Sequence, residues 1–340
     1  MKTPLVVVDA DVLGRERTGD ETYVENLLRR LPEVAEGELR FAAITRRPDL
    51  VPEGVEAVPL PARFQELRMA LSVPRVLRRL RPALAHFQHA LPLACPCPAV
   101  VTVHDLSFER EPALMGTKDR LVFKTVVPRA ARGAARVLAV SERTKADLVE
   151  LYGISAGRIV VTPHGVDPAF RPGEGAADSY LLFVGAIHER KNPLAAAEAA
   201  AEVGLPLVVA GPEKDAHLAR ELRARGADLR GYVDKLHLAE LYRGAACFVL
   251  PSRYEGFGLP VLEAMACGTP VVAYPDPALR EVAGDAAVFA EPGGLGQAIR
   301  RALADRERLS AAGLERARRF SWDETARLTL EVYREVISLP

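Results

Sequence analysis

Short runs of apolar, often β-branched residues alternate with stretches of helical periodicity along the whole 340-residue chain. Continuous apolar runs of this kind are typical of parallel strands that helices cover on both faces. The pattern therefore predicts an α/β fold with two successive series of parallel strands. The first series lies at residues 4–10, 98–104, 136–140 and 158–163, and the second at 180–185, 206–211, 247–251 and 270–274.

Polar and turn-forming residues between these runs divide the chain into two parts. Ser141 and Gly153 stand at the two ends of the helical pattern "ERTKADLVELY", where a capping serine and a terminating glycine are expected. Residues 164–180 are rich in Gly, Pro and polar side chains and are typical of a linker. We therefore predict two doubly wound, Rossmann-like domains joined near residue 170, with ligands at the carboxyl ends of their strands.

Composition and charge narrow the class of function. The chain has 45 basic and 45 acidic residues, so its formal net charge of +0 gives no global electrostatic reason to expect a nucleic-acid partner. Four cysteines are too few and too unevenly spaced for a disulfide framework, and Cys247 and Cys267 lie in apolar stretches that favour buried thiols. The N-terminal apolar run is too short for a signal peptide or a membrane span, so we expect a cytoplasmic protein.

The stretch "RYEGFGLPVLEAMACGTPVVA", residues 253–273, contains the most specific chemical pattern in the chain. It follows a predicted strand and is predicted to form a loop, a helix and the next strand. Pro260 suits the first turn of that helix, and Gly268 suits the position just past its end. Gly256 and Gly258 then lie in the loop that enters the helix. Uncovered backbone N–H groups at such a helix start attract an anion, typically phosphate.

Two carboxylates flank this loop, with Glu255 before it and Glu263 inside the helix. A carboxylate repels phosphate but accepts hydrogen bonds from hydroxyl groups. A ligand that suits both environments is a polyhydroxylated phosphate ester, and a sugar nucleotide is the natural candidate. Each glutamate alone is also compatible with a role that involves no ligand. Glu263 would favourably interact with the helix dipole, and Glu255 would be a solvated loop residue. A glycosidase-type carboxylate pair is a further alternative, but it leaves the glycines unexplained.

A second strand–loop–helix pattern, "LLFVGAIHERKNP" at residues 181–193, places two cations where a loop enters a helix. Arg190 and Lys191 follow the strand, and Pro193 begins the helix. An arginine can bind two phosphate oxygens at once, so the pair suits a diphosphate. In a transfer reaction these cations would offset the charge that grows on a departing diphosphate.

These two patterns together resemble the C-terminal domain of retaining glycosyltransferase family 4, which has the GT-B fold. Three stretches of the N-terminal half resemble the mannosyltransferase-like branch of that family. They are "RTGDETYVENLL" (17–28), "TVHDLSF" (102–108) and "VVTPHGVD" (160–167). The resemblance covers essentially the whole chain.

The resemblance implies a domain organisation and a set of partners. Residues 1–168 would form the acceptor-side domain, residues 169–320 the donor-binding domain, and residues 321–340 a helix that crosses back to the first domain. In the GT-B fold the two Rossmann-like domains face each other across a cleft. A sugar nucleotide would serve as co-substrate, with no cofactor and no metal ion required. The acceptor would be a glycan, a lipid-linked molecule or a small molecule.

The resemblance also implies roles for individual residues. Arg190 and Lys191 would hold the donor diphosphate. Glu255 would contact hydroxyls of the transferred sugar, and Glu263 would accept hydrogen bonds from the ribose. His104, at the end of an N-terminal strand, would face the donor sugar across the cleft. The other implied donor-site residues are Gly19 in the loop after the first strand, Gly231, Tyr232 and Val233 near the base, and Gly256, Phe257, Gly258 and Leu259 around the sugar and phosphates.

The implied reaction is the transfer of a hexose, most naturally mannose from GDP-mannose, with retention of anomeric configuration, as in polysaccharide biosynthesis. The acceptor hydroxyl would attack on the face from which the diphosphate leaves, and a phosphate oxygen would take its proton. Two enzyme alternatives are a sugar-nucleotide epimerase and a phosphorylase with the same fold. A third alternative is a sugar-nucleotide-binding protein without turnover.

The chain departs from the family pattern at two N-terminal places. Gly19 is followed by Asp20 and Glu21, whereas many relatives have further glycines in this loop, and the acids would alter contacts with acceptor or phosphate. His164 stands before Gly165 where asparagine is usual. Neither departure affects the implied donor-binding residues.

Three short motifs in the N-terminal half have the spacing of metal or redox sites but simpler interpretations. Short acidic patterns such as the one of Asp9 and Asp11 are frequent. No further ligand cluster accompanies His86 and His89, and turn-forming proline dominates the stretch that contains Cys95 and Cys97. We therefore expect local structural roles and no metal site. The motifs are Asp9 with Asp11, His86 with His89, and Cys95 with Cys97.

The stretch at residues 63–82 carries six arginines against one glutamate. A solvated helix face is the default interpretation. The alternative is a surface that docks anionic lipid head groups or a phosphate-bearing acceptor. In the lipid case the protein would be peripheral at the inner face of the membrane.

Overall fold

The chain folds into two compact units. The computed structural model describes residues 3–15, 18–60, 68–114, 116–173 and 179–338, so the first part of the basic stretch and part of the predicted linker lie outside the described residues. Among the helices in these ranges, none is long and apolar enough to cross a membrane. Unit 1 comprises Met1–Glu109, Met115–Gly165 and Trp322–Pro340, and unit 2 comprises Arg110–Leu114 and Val166–Ser321.

Unit 1 is built on a seven-stranded parallel sheet with the order β3-β2-β1-β4-β5-β6-β7. Its central strands are buried along their length, as expected for a sheet that is covered on both faces. This is the order of doubly wound dinucleotide-binding sheets, in which the strand order reverses between the neighbours β1 and β4. The strands are β1 (Leu5–Asp9), β2 (Arg40–Thr45), β3 (Val55–Pro59), β4 (Leu84–Gln88), β5 (Ala99–Val103), β6 (Arg136–Ala139) and β7 (Ile159–Val161).

Unit 2 repeats this architecture with a six-stranded parallel sheet of order β10-β9-β8-β11-β12-β13. The reversal of strand order now falls between β8 and β11, which pair directly through Leu181 with Cys247 and Leu182 with Phe248. The predicted α/β class with two doubly wound sheets is confirmed. The strands are β8 (Leu181–Val184), β9 (Leu207–Ala210), β10 (Asp228–Gly231), β11 (Cys247–Leu250), β12 (Val271–Ala273) and β13 (Ala287–Phe289).

Helices connect the strands in both units, and their termini follow the residues that the sequence marks. The Ser141 hydroxyl accepts the N–H of Thr144 at 3.1 Å, and Gly153 ends the same helix in a left-handed conformation with φ of 65°. In unit 1 the helices are α1 (Thr18–Val34), α2 (Val73–Leu80), α3 (Ser107–Arg110), α4 (Thr117–Gly133), α5 (Glu142–Tyr152) and the C-terminal α13 (Trp322–Ser338). In unit 2 they are α6 (Pro193–Val203), α7 (Ala216–Ala224), α8 (Lys235–Gly244), α9 (Leu259–Ala266), α10 (Pro277–Ala283), α11 (Leu295–Ala304) and α12 (Arg306–Ala317).

The eight predicted strands agree with the structure to within two residues at each end, but five further strands were not identified. Strands β3 and β10 are edge strands with mostly exposed or half-buried side chains, and β13 has three residues, so none presents a long apolar run. In β4, the polar residues His86 and Gln88 are buried inside a strand. His86 therefore lies within a strand and not in a loop.

Helix α13 packs against α1 and β4 of unit 1 through a buried hydrogen-bond network. The Tyr333 hydroxyl lies 2.6 Å from His86 Nδ1, and His86 Nε2 lies 2.7 Å from Thr102 Oγ1. Tyr23 Oη of α1 lies 3.0 Å from the same Thr102 oxygen. Burial lowers the pKa of His86 to about 3, so the ring is neutral and serves as a structural link.

We predict that Tyr333→Phe destabilises unit 1 by about 1–3 kcal/mol, because it leaves a buried His86 nitrogen without its partner. The measurement is urea unfolding followed by the fluorescence of Trp322, the single tryptophan, which is buried in unit 1. Tyr152→Phe is the matched control, because Glu109 keeps its 2.7 Å contact with Lys124 when the Tyr152 hydroxyl is removed. Equal urea midpoints for the two variants would contradict the prediction.

Candidate active site

The residues of the two C-terminal motifs converge at the carboxyl ends of β8 and β11 in unit 2. Arg190 and Lys191 lie in a short 3₁₀ turn, Glu189–Lys191, that follows β8 and precedes α6. Glu255 lies in the loop between β11 and α9. Since β8 and β11 are the neighbours at which the strand order reverses, both loops border the position where doubly wound sheets bind ligands.

A buried ion pair joins the two loops. Lys191 Nζ donates to both carboxylate oxygens of Glu255, at 2.6 and 2.8 Å, and Glu255 is 5% exposed. Arg190 stands 4.0 Å from the same carboxylate and donates to the Tyr254 carbonyl at 2.7 Å. Burial raises the pKa of Glu255, but Lys191 and Arg190 lower it by more, so the pKa lies below its usual range. Glu255 is therefore an anion held between two cations.

The glycine before α9 is fixed by both conformation and space. Gly258 has φ of 109°, and a Cβ atom built on it would stand 2.5 Å from Leu279 Cδ2. Helix α9 begins at Leu259 with Pro260 in its first turn, as predicted. The carbonyl of Gly258 accepts the N–H groups of Val261 and Leu262 at 3.0 and 3.2 Å, so those two amides are used within the helix. A phosphate at this helix start would be bound by the amides nearer the glycine loop.

Glu263 faces a different environment from Glu255. Its carboxyl accepts a hydrogen bond of 2.9 Å from the hydroxyl of Tyr242 in α8, a residue that the sequence analysis did not identify. Burial raises the pKa of Glu263 to about 8, partly offset by the Tyr242 hydrogen bond, and the nearby Asp167 raises it further. Asp167 in turn pairs with Lys235 at 2.6 Å. The raised pKa favours the protonated form of Glu263, whereas the lowered pKa of Glu255 favours its ionised form, so the two glutamates of the motif differ in ionisation.

The third predicted donor segment, Gly231 to Val233, ends the edge strand β10 and leads to α8. Gly231 has φ of 64°, and Tyr232 is 54% exposed. An exposed aromatic side chain next to a strand end offers a flat surface for stacking on a base. The role of this segment near the base stays a prediction.

In unit 1, His104 lies directly after β5 and is 8% exposed. Its Nε2 lies 2.9 Å from Gln88 Oε1, its Nδ1 lies 3.9 Å from Asp20 Oδ1, and its ring packs edge-on against Tyr23 at 4.9 Å. Burial lowers the pKa of His104 to about 4, against the opposing effect of Asp20. His104 is therefore neutral at pH 7 and suited to hydrogen bonding rather than to charge pairing.

Two N-terminal expectations need correction. Gly19 was expected in the loop after β1 but lies in the first turn of α1, and a Cβ atom there would meet nothing within 4 Å. Its backbone is not in the left-handed region, so neither conformation nor space demands glycine in the protein itself. The expectation that no ligand cluster accompanies His89 is also wrong, because ligand atoms of His89, His104 and Asp20 lie within 4.8 Å of one another.

The other short motifs have structural roles. Asp11 pairs with Arg46 at 2.7 Å and Arg68 at 2.5 Å and also contacts Arg15. Arg68 is 3% exposed, so this arginine of the basic stretch is part of a buried ion-pair cluster and not of a solvated helix face. Cys95 and Cys97 place their sulfurs 3.9 Å apart in a partly buried loop, and Cys247 and Cys267 are buried thiols as predicted.

This geometry suits a ligand that combines a phosphate group with hydroxyls. In unit 2, two cations and a glycine-bounded helix start lie beside one ionised and one neutral carboxyl. The ionised carboxylate accepts hydrogen bonds, and the cations and the helix start favour an anion. None of these side chains is arranged as a nucleophile next to a general base in the described residues.

Comparison with known proteins gives the family. Residues 17–170 match the family described as Glycosyltransferase Family 4, and residues 169–320 match the one described as Glycosyl transferases group 1. Among solved structures, sucrose-phosphate synthase from Thermosynechococcus elongatus superposes with a TM-score of 0.81 at 22% identity, over 99% of this chain and 100% of that one. Anabaena HepE in complex with UDP and glucose gives 0.74 at 15% identity, over 98% and 100%. Both are GT-B neighbours and support the predicted fold.

The relatives by sequence are named as glycosyltransferases. The O-antigen chain mannosyltransferase B of Escherichia coli is 32% identical over 69% of this chain and 70% of its own length. The D-inositol 3-phosphate glycosyltransferase 2 of Catenulispora acidiphila is 35% identical over 60% of this chain, and the match spans 57% of that relative. The matched domains, the relatives and the fold agree with the residues assembled above, and the chain belongs to glycosyltransferase family 4.

Proposed function

We propose that this glycosyltransferase moves a hexose, with retention of configuration, from a sugar nucleotide bound by unit 2 to an acceptor hydroxyl bound by unit 1. The observation that carries the donor half of the proposal is the Lys191–Glu255 ion pair at 2.6 Å, set beside the glycine-bounded start of α9. The pair joins an ammonium group, which attracts anions, to a carboxylate, which accepts hydrogen bonds from hydroxyls. A sugar diphosphate offers the matching pair of groups.

The reaction exchanges one glycosidic C–O bond for another. The acceptor oxygen bonds to the anomeric carbon on the face from which the diphosphate departs, the carbon–oxygen bond to the diphosphate breaks, and a departing phosphate oxygen takes the acceptor proton. Arg190, Lys191 and the amides around Phe257 to Leu259 offset the charge on the diphosphate. Glu255 holds hydroxyls of the transferred sugar, and Glu263 accepts from the ribose. No protein base is needed, and neither is a metal ion.

The remaining predicted residues complete the proposal. Gly231, Tyr232 and Val233 border the base, and the Tyr232 side chain is 54% exposed. Gly19 lets the backbone approach a phosphate without a side chain in the way. His104, neutral because it is buried, faces the donor sugar.

We propose GDP-mannose as the donor. The support is the relative named as an O-antigen chain mannosyltransferase, which is matched over 70% of its own length. The neighbour solved with UDP and glucose supports a UDP-sugar instead, and the relatives named D-inositol 3-phosphate glycosyltransferases name no donor. The decisive experiment is slow donor hydrolysis across GDP-, UDP-, ADP- and dTDP-sugars with EDTA present. Turnover of a single donor in the presence of EDTA would identify that donor. If the protein binds a nucleotide but turns over no donor with any acceptor tried, it would be a sugar-nucleotide-binding protein without transfer activity.

We predict that Glu255→Gln and Lys191→Ala each reduce hydrolysis of the accepted donor by about 100-fold or more, because each removes a group that acts on the sugar or the departing charge. The measurement is kcat/KM for donor hydrolysis, with circular dichroism to confirm folding. Glu240→Gln and Lys214→Ala are matched controls, since both side chains are exposed in the same unit. Equal losses in the controls, or none in the site variants, would contradict the assignment.

We predict that Glu263→Gln changes the pH dependence of stability. With a folded-state pKa of about 8 against an ordinary value of 4.5, the neutral form stabilises the fold fully below pH 4.5, and this stabilisation is lost as the pH rises through 8. Between pH 5.5 and 8.5 the wild type should lose about 1–2 kcal/mol more than Glu263→Gln, because the partly exposed carboxyl keeps some water. Thermal unfolding at the two pH values measures this, and parallel losses in the two proteins would show that the carboxyl ionises normally.

We also propose that α2 contacts anionic lipid. Arg75, Arg78 and Arg79 of this helix and the adjacent Arg81 are exposed, in contrast to Arg68. Clustered surface arginines attract anionic head groups by roughly 1 kcal/mol each.

We predict that the triple change of Arg75, Arg78 and Arg79 to Gln weakens co-sedimentation with phosphatidylglycerol vesicles at least tenfold, whereas the same changes at the exposed arginines Arg220, Arg223 and Arg225 of unit 2 do not. Equal sedimentation of the wild type and both variants would end the lipid proposal.

A further inference from the structure

The carboxyl end of the sheet in unit 1 carries a cluster of side chains that sugar transfer does not use as a set. Asp20 lies in the first turn of α1, His89 directly follows β4, and His104 directly follows β5. One ligand atom from each residue lies within 4.8 Å of the other two. The cluster borders the reversal of strand order between β1 and β4, where doubly wound sheets bind ligands.

The hydrogen bonds of His104 direct one ring nitrogen toward Asp20. Its Nε2 lies 2.9 Å from the side-chain amide oxygen Oε1 of Gln88, which only accepts, so Nε2 carries the proton and donates it. The Nδ1 atom then presents a lone pair 3.9 Å from Asp20 Oδ1. Two electron-rich atoms that face each other without a hydrogen between them favour a cation in that space. A histidine that donates its other N–H to an oxygen acceptor is also the usual arrangement of a metal ligand.

His89 is held in a strained conformation that brings its ring to the cluster. Its φ of 57° is in the left-handed region, which few residues other than glycine adopt, and its N–H donates to the Thr102 carbonyl at 2.9 Å. The His89 ring stands 5.1 Å from the His104 ring, and its Nδ1 is buried without a hydrogen-bond partner among the described residues. Strained residues of this kind concentrate at functional sites. A metal ion would satisfy the buried nitrogen.

We propose that Asp20, His89 and His104 form a binding site for a divalent first-row transition metal ion, with Zn²⁺ as the best fit. Two imidazoles and one carboxylate are a ligand set of zinc and its neighbours, whereas Mg²⁺ and Ca²⁺ prefer oxygen ligands throughout. The fourth position is left for water or a ligand oxygen. The site is distinct in chemistry from the donor-binding residues of unit 2, and metal binding can be measured whether or not sugar is transferred.

The three ligand atoms lie within 4.8 Å of one another, so side-chain movements of up to about 1.5 Å bring them to coordination distance. Ligand atoms on a tetrahedral zinc ion stand about 3.3 Å apart, given bonds of about 2.0–2.1 Å. The 3.9 Å between His104 and Asp20 therefore shortens by about half an ångström. Asp20 supplies this movement, because its side chain is 39% exposed and lies on the first turn of a helix, whereas Gln88 holds His104 in place.

The test uses the full chain without an affinity tag and Co²⁺ as a spectroscopic probe. We expect a single Co²⁺ per chain to give the visible absorption of a four-coordinate site, and Zn²⁺ to displace it. His89→Asn removes the imidazole but keeps a residue that tolerates the left-handed conformation, and Asp20→Asn removes the charge. Each of these two changes should weaken Zn²⁺ binding, measured by calorimetry, at least tenfold relative to the wild type. Gln88→Leu should weaken it about tenfold, because it removes the hydrogen bond that supports His104.

Two controls separate this site from other ligands in the chain. The paired change of His217 and His237 to Asn removes two exposed histidines of unit 2 and should leave binding unchanged. The paired change of Cys95 and Cys97 to Ser removes the neighbouring thiols and should also leave it unchanged. Wild-type affinity in both His89→Asn and Asp20→Asn would overturn the proposal. Loss of binding in the cysteine variant, or no Co²⁺ spectrum in the wild type, would overturn it as well.

Discussion

The buried carboxylate of Glu255 is the constraint on which the donor side of unit 2 depends. A carboxylate that is 5% exposed costs several kcal/mol unless a cation and hydrogen bonds compensate it. Lys191 supplies that cation from a loop 64 residues earlier in the chain. The two loops can meet only because the strand order makes β8 and β11 direct neighbours. Topology and electrostatics therefore fix the position of the loops before a ligand binds.

The same strand-order reversal organises unit 1 but with different chemistry. There His89 follows β4 and His104 follows the adjacent β5, in place of a lysine and a glutamate, and burial keeps His104 neutral. Neutral imidazoles hydrogen bond and coordinate metals without adding charge. The same architecture thus carries charged side chains at the carboxyl end of the sheet in unit 2 and neutral imidazoles at the carboxyl end of the sheet in unit 1. His104 is the residue on which both the transfer proposal and the metal proposal converge.

The sequence predicted what depends on local patterns and missed what depends on pairs distant in the chain. Glu255, Lys191 and Gly258 sit in motifs with strong local spacing, so their elements were identified and are confirmed. The hydrogen bond from Tyr242 to Glu263 joins two residues that lie 21 positions apart on different helices. Nothing in the sequence pattern of α8 indicates that this tyrosine has a role in the site. His89 was assigned a local role because its partners Asp20 and His104 come from two other elements. Strand β4 was not identified because His86 and Gln88 interrupt its apolar run, and their partners Tyr333 and His104 are distant in the chain.

The ion pair that shapes the donor site also limits how tightly it can bind. Lys191 already donates to both oxygens of Glu255, so a diphosphate must share or displace those hydrogen bonds. Sharing is favoured when sugar hydroxyls replace Lys191 on the carboxylate, because the carboxylate is then never left buried and unpaired. A ligand with phosphates but no sugar would give no such replacement. Under the proposed function, the site would therefore favour the complete sugar nucleotide over the nucleotide diphosphate that remains once the sugar has been transferred.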